Sequence, residues 1–365
     1  MNKQFFVTMS KVVGVVLSLY LFLVGIKGLS SGIKHLGGDF ANEIMTTTSD
    51  PFLALFIGVL ATTLFQSSST TTSIIVGMVS GGAVTLTGAI PMIMGANIGT
   101  TVTNTIVSIG HISRGNEFKR AFAASTVHDF FNILAVLILF PLEMAFGIIE
   151  KTAIGLGTLL FGTISTNEVF KSPIKTAIKW GAKYIESLSF DNNGIFIFLS
   201  VLLTFMMLYS IVKLLRSLVL DNIKQYFDKY IFKTALRAIL FGMVLTIMVQ
   251  SSSITTSTIV PLAGAGIVTL RQLYPFTLGA NLGTTVTALL ASLTLNVTAM
   301  VAAFAHLFFN IFGILIIYLN PLLKDIPIKL AEWMSEVSIK NKFIPIIYLL
   351  TFFFVLPFLI IIIGR

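Results

Sequence analysis

The sequence predicts an all-α integral membrane protein: an inverted repeat with two re-entrant helical hairpins and about seven full crossings. Three observations lead there. Of 365 residues only 24 are basic and 15 acidic, while 55% are hydrophobic and the mean hydropathy is +0.95. Apolar runs long enough for a hydrocarbon core of about 30 Å recur along the chain. Blocks of sequence also occur twice, in the same order. A water-soluble chain of this length would carry about a quarter charged residues, so most of this surface faces lipid. There is no cysteine, which excludes a disulfide framework, a thiolate metal site and a catalytic thiol. The net charge of +9 is better explained by Lys and Arg in cytoplasmic loops than by nucleic-acid binding.

Residues 1–50 hold the first transmembrane helix and an outer loop. The apolar run 12–26 follows Lys3 and Lys11 and has no small-residue cleavage site after it, so it reads as a retained helix rather than a signal peptide. Residues 51–142 form the first repeat. Its opening stretch is cut at Gln66, Ser67, Ser68 and Ser69 into arms of about 14 residues, a length that favours a re-entrant hairpin over a crossing. The tip of such a hairpin must be buried in protein or water-lined. Crossings follow at 86–109 and 121–140. In 143–193, Lys171, Lys175, Lys179 and Lys183 are balanced by Glu168, Glu186 and Asp191, which reads as an extramembrane loop with surface-lying amphipathic helices.

Residues 194–320 supply a linking crossing at 195–215 and the second repeat. That repeat has a hairpin cut at Gln250, Ser251, Ser252 and Ser253 and crossings at 274–295 and 298–319. Residues 321–365 are an inner loop and a last crossing at 343–363. Three crossings separate the hairpins, so they enter from opposite faces. Arg114, Lys119 and Arg120 lie in one short loop and Arg216, Lys224, Lys229, Lys233 and Arg237 in another, whereas Asp39, Glu43 and Asp50 against Lys34 lie on the opposite side. Positive-inside then puts the amino terminus in the cytoplasm and the carboxyl terminus outside, for a multi-pass protein of the cell membrane.

The repeat is explicit. Placing residue 66 on residue 250, QSSSTTTS matches QSSSITTS at seven of eight positions, and GANIGTTVT (95–103) matches GANLGTTVT (279–287) at eight of nine. Further on, HDFFNI (128–133) matches HLFFNI (306–311) at five of six. Ser and Thr in membrane helices often serve only close packing. Packing does not need a glutamine beside a helix break, twice, with an Asn-Gly-Thr-Thr break after each. Two halves with interrupted helices are the architecture of alternating-access transporters, with the site at mid-membrane between the halves.

A hairpin tip presents unpaired N–H groups at the start of one half-helix and unpaired carbonyls at the end of the other. The N–H groups and the hydroxyls of Ser67, Ser68, Ser69, Ser251, Ser252 and Ser253 are donors for an oxyanion. The hydroxyls of Thr100, Thr101, Thr284, Thr285 and Thr287 and the amide oxygens of Gln66, Gln250, Asn97 and Asn281 are neutral oxygens that suit a hard monovalent cation. No charged side chain occurs from Ser67 to Ile112, and only Arg271 from Ser251 to Met300. An anion at the tips therefore needs co-bound cations, because uncompensated charge at membrane depth costs several kcal/mol or more. Asp129, inside an apolar helix with Leu307 at the corresponding place, is a functional candidate by its cost in lipid. His128 and His306, each four residues before Asn132 or Asn310, read as interhelical hydrogen-bond partners rather than metal ligands.

The paired Gln-Ser-Ser-Ser hairpins, the Gly-Ala-Asn-Ile-Gly-Thr-Thr segment and residues 114–132 (RGNEFKRAFAASTVHDFFN) together resemble the type II sodium-dependent phosphate cotransporter family. The similarity covers roughly 51–142 and 233–358, and is to a compact, bacterial-type member without the loop cysteines and longer carboxyl-terminal region of vertebrate relatives. The resemblance implies symport of sodium and inorganic phosphate in a lipid bilayer, with sodium as co-substrate and no further cofactor. It implies phosphate contacts at Ser67, Ser68, Ser69, Thr70, Ser251, Ser252 and Ser253, with Gln66, Gln250, Asn97 and Asn281 beside them. Sodium is expected at Gln250, Ser251, Thr284 and Thr287, and at Gln66, Thr100, Thr101, Ser125 and Asp129. Electrogenic members have Ala, any residue, Ala, three residues, then Asp; this sequence has Ala123, Ser125 and Asp129. Three Na⁺, HPO₄²⁻ and the Asp129 carboxylate sum to zero, so three sodium ions per divalent phosphate is the expected stoichiometry. Another oxyanion, a small carboxylate or an ion channel are the alternatives. No catalytic constellation suggests an enzyme, and the residues do not fix the oligomeric state.

Overall fold

The described residues are almost all helical. The structure, a computed structural model, describes residues 3–35, 38–161, 173–223 and 231–364; Glu168, Lys171, Lys224 and Lys229 lie outside them. In order the helices are α1 (Lys3–His35), α2 (Gly38–Ser49), α3 (Pro51–Phe65), α4 (Ser68–Gly81), α5 (Leu86–Gly99), α6 (Val102–Ile109), α7 (Asn116–Phe146) and α8 (Ile148–Phe161). They continue with α9 (Pro173–Ser187), α10 (Asn193–Ile223), α11 (Ala235–Val249), α12 (Ser252–Gly264) and α13 (Leu270–Ser292). The chain closes with α14 (Val297–Tyr318), α15 (Ile326–Lys340) and α16 (Ile344–Ile363), the last with a π-helical turn at Thr351–Val355.

Among the described residues five helices, α1, α7, α10, α14 and α16, are single, apolar and long enough to cross a membrane. They correspond to five of the seven predicted crossings. The predicted crossing 86–109 is divided into α5 and α6 at Thr100 and Thr101. The predicted crossing 274–295 falls in α13, which has the length but carries Thr, Gly and Asn on nearly every turn and is buried for most of its course. It is walled by protein, so its sequence need not be apolar throughout. The two Asn-Gly-Thr-Thr segments also differ, because the break expected in both is present only in the first. Asp129 faces Thr101 and Thr105 there, whereas Leu307 offers the second half no such partner.

The stretch expected as an outer loop is partly helical, and the stretch 143–193, expected to carry helices, holds α8 and α9. In the outer loop, α2 runs to Ser49 and meets α3 at a 105° bend. Asp50 makes that corner: its carboxylate accepts the Leu53 N–H at 2.8 Å, capping α3, and Pro51 fills the first helical position. Beyond α7, the carboxylate of Glu143 folds back across Gly147 (φ 61°) to accept the N–H groups of Ile149 and Glu150 at 2.6 and 3.0 Å. The α8 helix so capped packs on α14 through Ile149, Ala153 and Gly157.

The principal packing unit is built twice. α3 lies against α5, and α11 against α13. A β-carbon at Gly95 would collide with the carbonyl oxygen of Leu55, and one at Gly279 with that of Ile239. Gly58 and Gly242 abut the carbonyls of Met92 and Phe276 in the same way. Residues 184 apart thus make equivalent contacts, and the glycines of the repeated motif are there to let backbones touch. Gly95→Ala or Gly279→Ala is expected to cost about 1–3 kcal/mol by overpacking, read as a melting temperature lowered by several degrees; an unchanged melting temperature would refute the contact.

The second arms cross over. α4 docks on α13 and α1, while α12 docks on α6 and α7, so each Gln-led turn is carried into the opposite half.

Candidate functional site

Each turn has one backbone form. Gln66 lies at φ 51°, ψ 28° and Gln250 at φ 55°, ψ 27°, both left-handed, followed by extended Ser67 (−154°, 104°) and Ser251 (−155°, 109°). The serine hydroxyls cap the next helices, accepting from Thr70 N at 3.2 Å and Ile254 N at 3.3 Å. A left-handed non-glycine residue costs about 1–2 kcal/mol, and glutamine stands at both places. Such strain marks a site where the side chain matters.

The turns face each other. Ser69 Oγ lies 3.5 Å from the Gln250 carbonyl oxygen, and Ser253 Oγ donates to the Thr100 carbonyl at 3.3 Å. Thr256 donates to Asn104 Oδ1 at 3.0 Å. Ser68, Ser69, Thr70, Ser252 and Ser253 are buried there, as are Thr100, Thr101, Thr284, Thr285 and Thr287. Each of those five threonines except Thr287 turns its hydroxyl back to a carbonyl of its own helix. Thr287 instead donates to Gln250 Oε1 at 2.8 Å, and Gln250 Nε2 donates to Ile247 O at 2.6 Å. Both residues border a cavity of about 230 Å³ lined mainly by apolar side chains of α1, α10, α11 and α13. Gln66 is exposed, and the hydroxyl of Thr103, which corresponds to Thr287, is buried without a partner.

A second group of polar residues links the halves through the core. His128 Nε2 lies 2.6 Å from Asn281 Oδ1; Asn281 Nδ2 donates to Asn132 Oδ1 at 2.8 Å; Asn132 Nδ2 donates to the Asn97 carbonyl at 2.8 Å. The hydrogen-bonding role expected for His128 is met. His306 behaves otherwise: both its ring nitrogens are buried without partners, and Asn310 donates only to the His306 carbonyl within its helix.

Asp129 is fully buried. Its Oδ2 accepts from Tyr348 OH at 3.0 Å and from Thr105 at 3.5 Å, while Oδ1 has no partner. Ser125, one turn earlier, donates to Phe122 O at 2.9 Å and Ser108 Oγ at 3.1 Å rather than to the carboxylate. Tyr348 and Thr105 were not among the residues expected from sequence. A tyrosine hydroxyl in the otherwise apolar α16 was the available signal, since a hydroxyl there needs a partner. Among the described residues no ion pair reaches Asp129, and Arg271 is exposed and pairs with Asp325 at 2.9 Å. No cluster of three His, Cys, Asp or Glu suited to a metal occurs among the described residues.

The arrangement can therefore hold an ion only through neutral oxygens, N–H groups and one carboxylate. The chain matches the Na+/Pi-cotransporter family model over residues 21–166 and 202–318. It is similar to the sodium-dependent phosphate transport protein 2B of Homo sapiens, 34% identical over 93% of this chain and 63% of that protein. It is equally similar to the sodium-dependent phosphate transport protein 2A of Rattus norvegicus, 34% identical over 94% of this chain and 66% of the relative. The chain thus spans less than two thirds of the length of these relatives. No solved structure matches. With the family model covering most of the chain and both relatives aligned along nearly all of it, this multi-pass helical chain belongs to the Na+/Pi-cotransporter family.

Proposed function

We propose that this protein is a sodium-coupled symporter of inorganic phosphate that works by alternating access. The observation that carries the reading is the meeting, just after the two Gln-led turns, of the starts of α4 and α12 among buried neutral oxygens, with no fixed cation beside them among the described residues. Two relatives bear the name sodium-dependent phosphate transport protein, which supports the same substrates here.

In this reading phosphate lies between the N-termini of α4 and α12, held by N–H groups and by Ser67, Ser68, Ser69, Thr70, Ser251, Ser252 and Ser253, with Gln66, Gln250, Asn97 and Asn281 around them. One sodium lies at Gln250, Ser251, Thr284 and Thr287. A second uses Gln66, Thr100 and Thr101, and a third takes the unpartnered oxygen of Asp129 near Ser125. The anion alone would bring uncompensated charge to membrane depth, and the cations alone would do so with opposite sign. Joint binding removes a penalty of several kcal/mol, which is a coupling free energy between the two substrates.

The halves are taken to be inverted repeats, residues 51–142 and the second part of 194–320, with α3–α4 and α11–α12 as re-entrant hairpins from opposite faces of the cell membrane and the amino terminus in the cytoplasm. Three sodium ions accompany each divalent phosphate.

Uptake into proteoliposomes, with sodium gradient and membrane potential varied independently, tests the proposal. Phosphate accumulation is expected only with an inward sodium gradient, and faster with the interior negative. Uptake indifferent to sodium would sink it. Stronger competition by sulfate or succinate than by arsenate would transfer the mechanism to another anion.

A further inference from the structure

Away from the turns, ammonium groups gather at one end of the bundle. α1 carries Lys27 and Lys34 two turns apart, and α9 carries Lys175, Lys179 and Lys183 at four-residue spacing, hence along one face. α9 is laid against α1. Tyr20 OH donates to the Ala177 carbonyl at 3.0 Å, and Gly181 lets Val24 and Tyr20 close on the helix backbone. The two lysine faces converge on a cavity of about 230 Å³ lined by Lys27, Lys34, His35, Lys179, Lys183 and Glu186.

Lys27 is half-buried and is repelled by Lys34, Lys179 and Lys175. Among the described residues, none of Lys27, Lys34, Lys179 and Lys183 makes an ion pair. Among the described residues Glu186 is the one carboxylate lining the cavity, and its Oε1 lies 3.3 Å from His35 Nδ1. Like charges held together around a partly dry space raise each other's energy and focus a positive potential there. A multivalent oxyanion relieves that repulsion, and lysine is a regular phosphate binder.

The outer side of α9 adds a second feature. Trp180 stacks on Tyr184 with centroids 6.3 Å apart, and both are exposed, as is Ile174. Exposed aromatic and apolar residues opposite a lysine face are the composition of a helix lying at a membrane interface. Basic pockets between membrane helices bind phosphate groups of lipids.

We infer that the cavity between α1, α9 and α10 is a binding site for a phosphate group, separate from the buried turns and filled either by an anionic phospholipid headgroup or by free inorganic phosphate. The inference does not depend on the transport reading, and its test reads binding without sodium, where the coupled site does not fill. The purified, delipidated full chain in neutral detergent and sodium-free buffer is titrated with phosphatidylglycerol, with phosphatidylcholine and with inorganic phosphate. Retention is followed by native mass spectrometry and equilibrium dialysis.

One phosphatidylglycerol or one phosphate should bind per chain, and phosphatidylcholine should not. Each Lys→Gln change should weaken binding about fivefold, so the Lys27→Gln/Lys179→Gln double variant should lose about 25-fold. Lys340→Gln, on α15, should change nothing. Binding of phosphatidylglycerol that millimolar phosphate leaves intact assigns the site to lipid; phosphate binding that phosphatidylglycerol leaves intact assigns it to the free ion. Lys179 is exposed, so Lys179→Gln alone keeps the fold and the test interpretable. Absence of binding by both ligands, or equal binding by wild type and Lys179→Gln, would overturn the inference.

Discussion

Asp129→Asn is expected to abolish phosphate-induced current while leaving measurable phosphate uptake. The substitution keeps shape: Tyr348 OH and Thr105 can still donate to the amide oxygen where they now meet Oδ2, so the fold has little reason to change. What is lost is one negative charge and, at the unpartnered Oδ1, the strongest ligand available to a cation in that part of the core. With the carboxylate, three sodium ions and HPO₄²⁻ give a neutral loaded carrier and an empty carrier of charge −1. Without it, two sodium ions and HPO₄²⁻ give neutrality in both states, and no net charge moves per cycle. At 100 mV that charge is worth about 2.3 kcal/mol, an accumulation ratio of about 50-fold. Voltage-clamped current and radiolabelled uptake measured on the same cells decide the matter. Current per phosphate equal to that of the wild type would remove Asp129 from the cation path.

Sequence exposed most of this site because its elements are locally coded. A carboxylate in an apolar run has no cheap explanation, which singled out Asp129. A glutamine before three serines, twice, singled out both turns, and the capped backbone seen at Ser67 and Ser251 is what such residues form at a helix start. Long apolar helices were equally legible, since lipid imposes both length and composition.

What stayed hidden depends on partners far apart in the chain. Nothing local couples Tyr348 to Asp129, or makes Asn281 rather than Asn97 the partner of His128. The near-identical Asn-Gly-Thr-Thr segments give a divided helix in one half and a continuous α13 in the other, so surroundings and not propensity set that difference. α2 escaped notice because its end is defined by Asp50 and not by periodicity, and the start of α8 is set by Glu143 reaching across Gly147.

Gln250→Gly is expected to cut sodium-driven phosphate uptake by about 10- to 100-fold, the range for losing a hydrogen bond to a charged group, while the folded protein becomes no less stable. The two outcomes separate because the backbone and the amide make opposite demands. At φ 55° the backbone prefers glycine, so a turn needing only its shape would gain from the exchange. The amide, by contrast, accepts from Thr287 at 2.8 Å through Oε1; glycine keeps the main-chain carbonyl that Ser69 meets and loses that amide oxygen. Gln250→Ala keeps the left-handed strain and removes the amide, so it should match the glycine variant in transport and fall below it in melting temperature. Gln66→Gly should follow the same pattern, because Gln66 has the same dihedrals within a few degrees. Near-normal uptake by Gln250→Gly would show that the side chain is a packing residue, and the proposed coupling through neutral oxygens would then lose its central ligand.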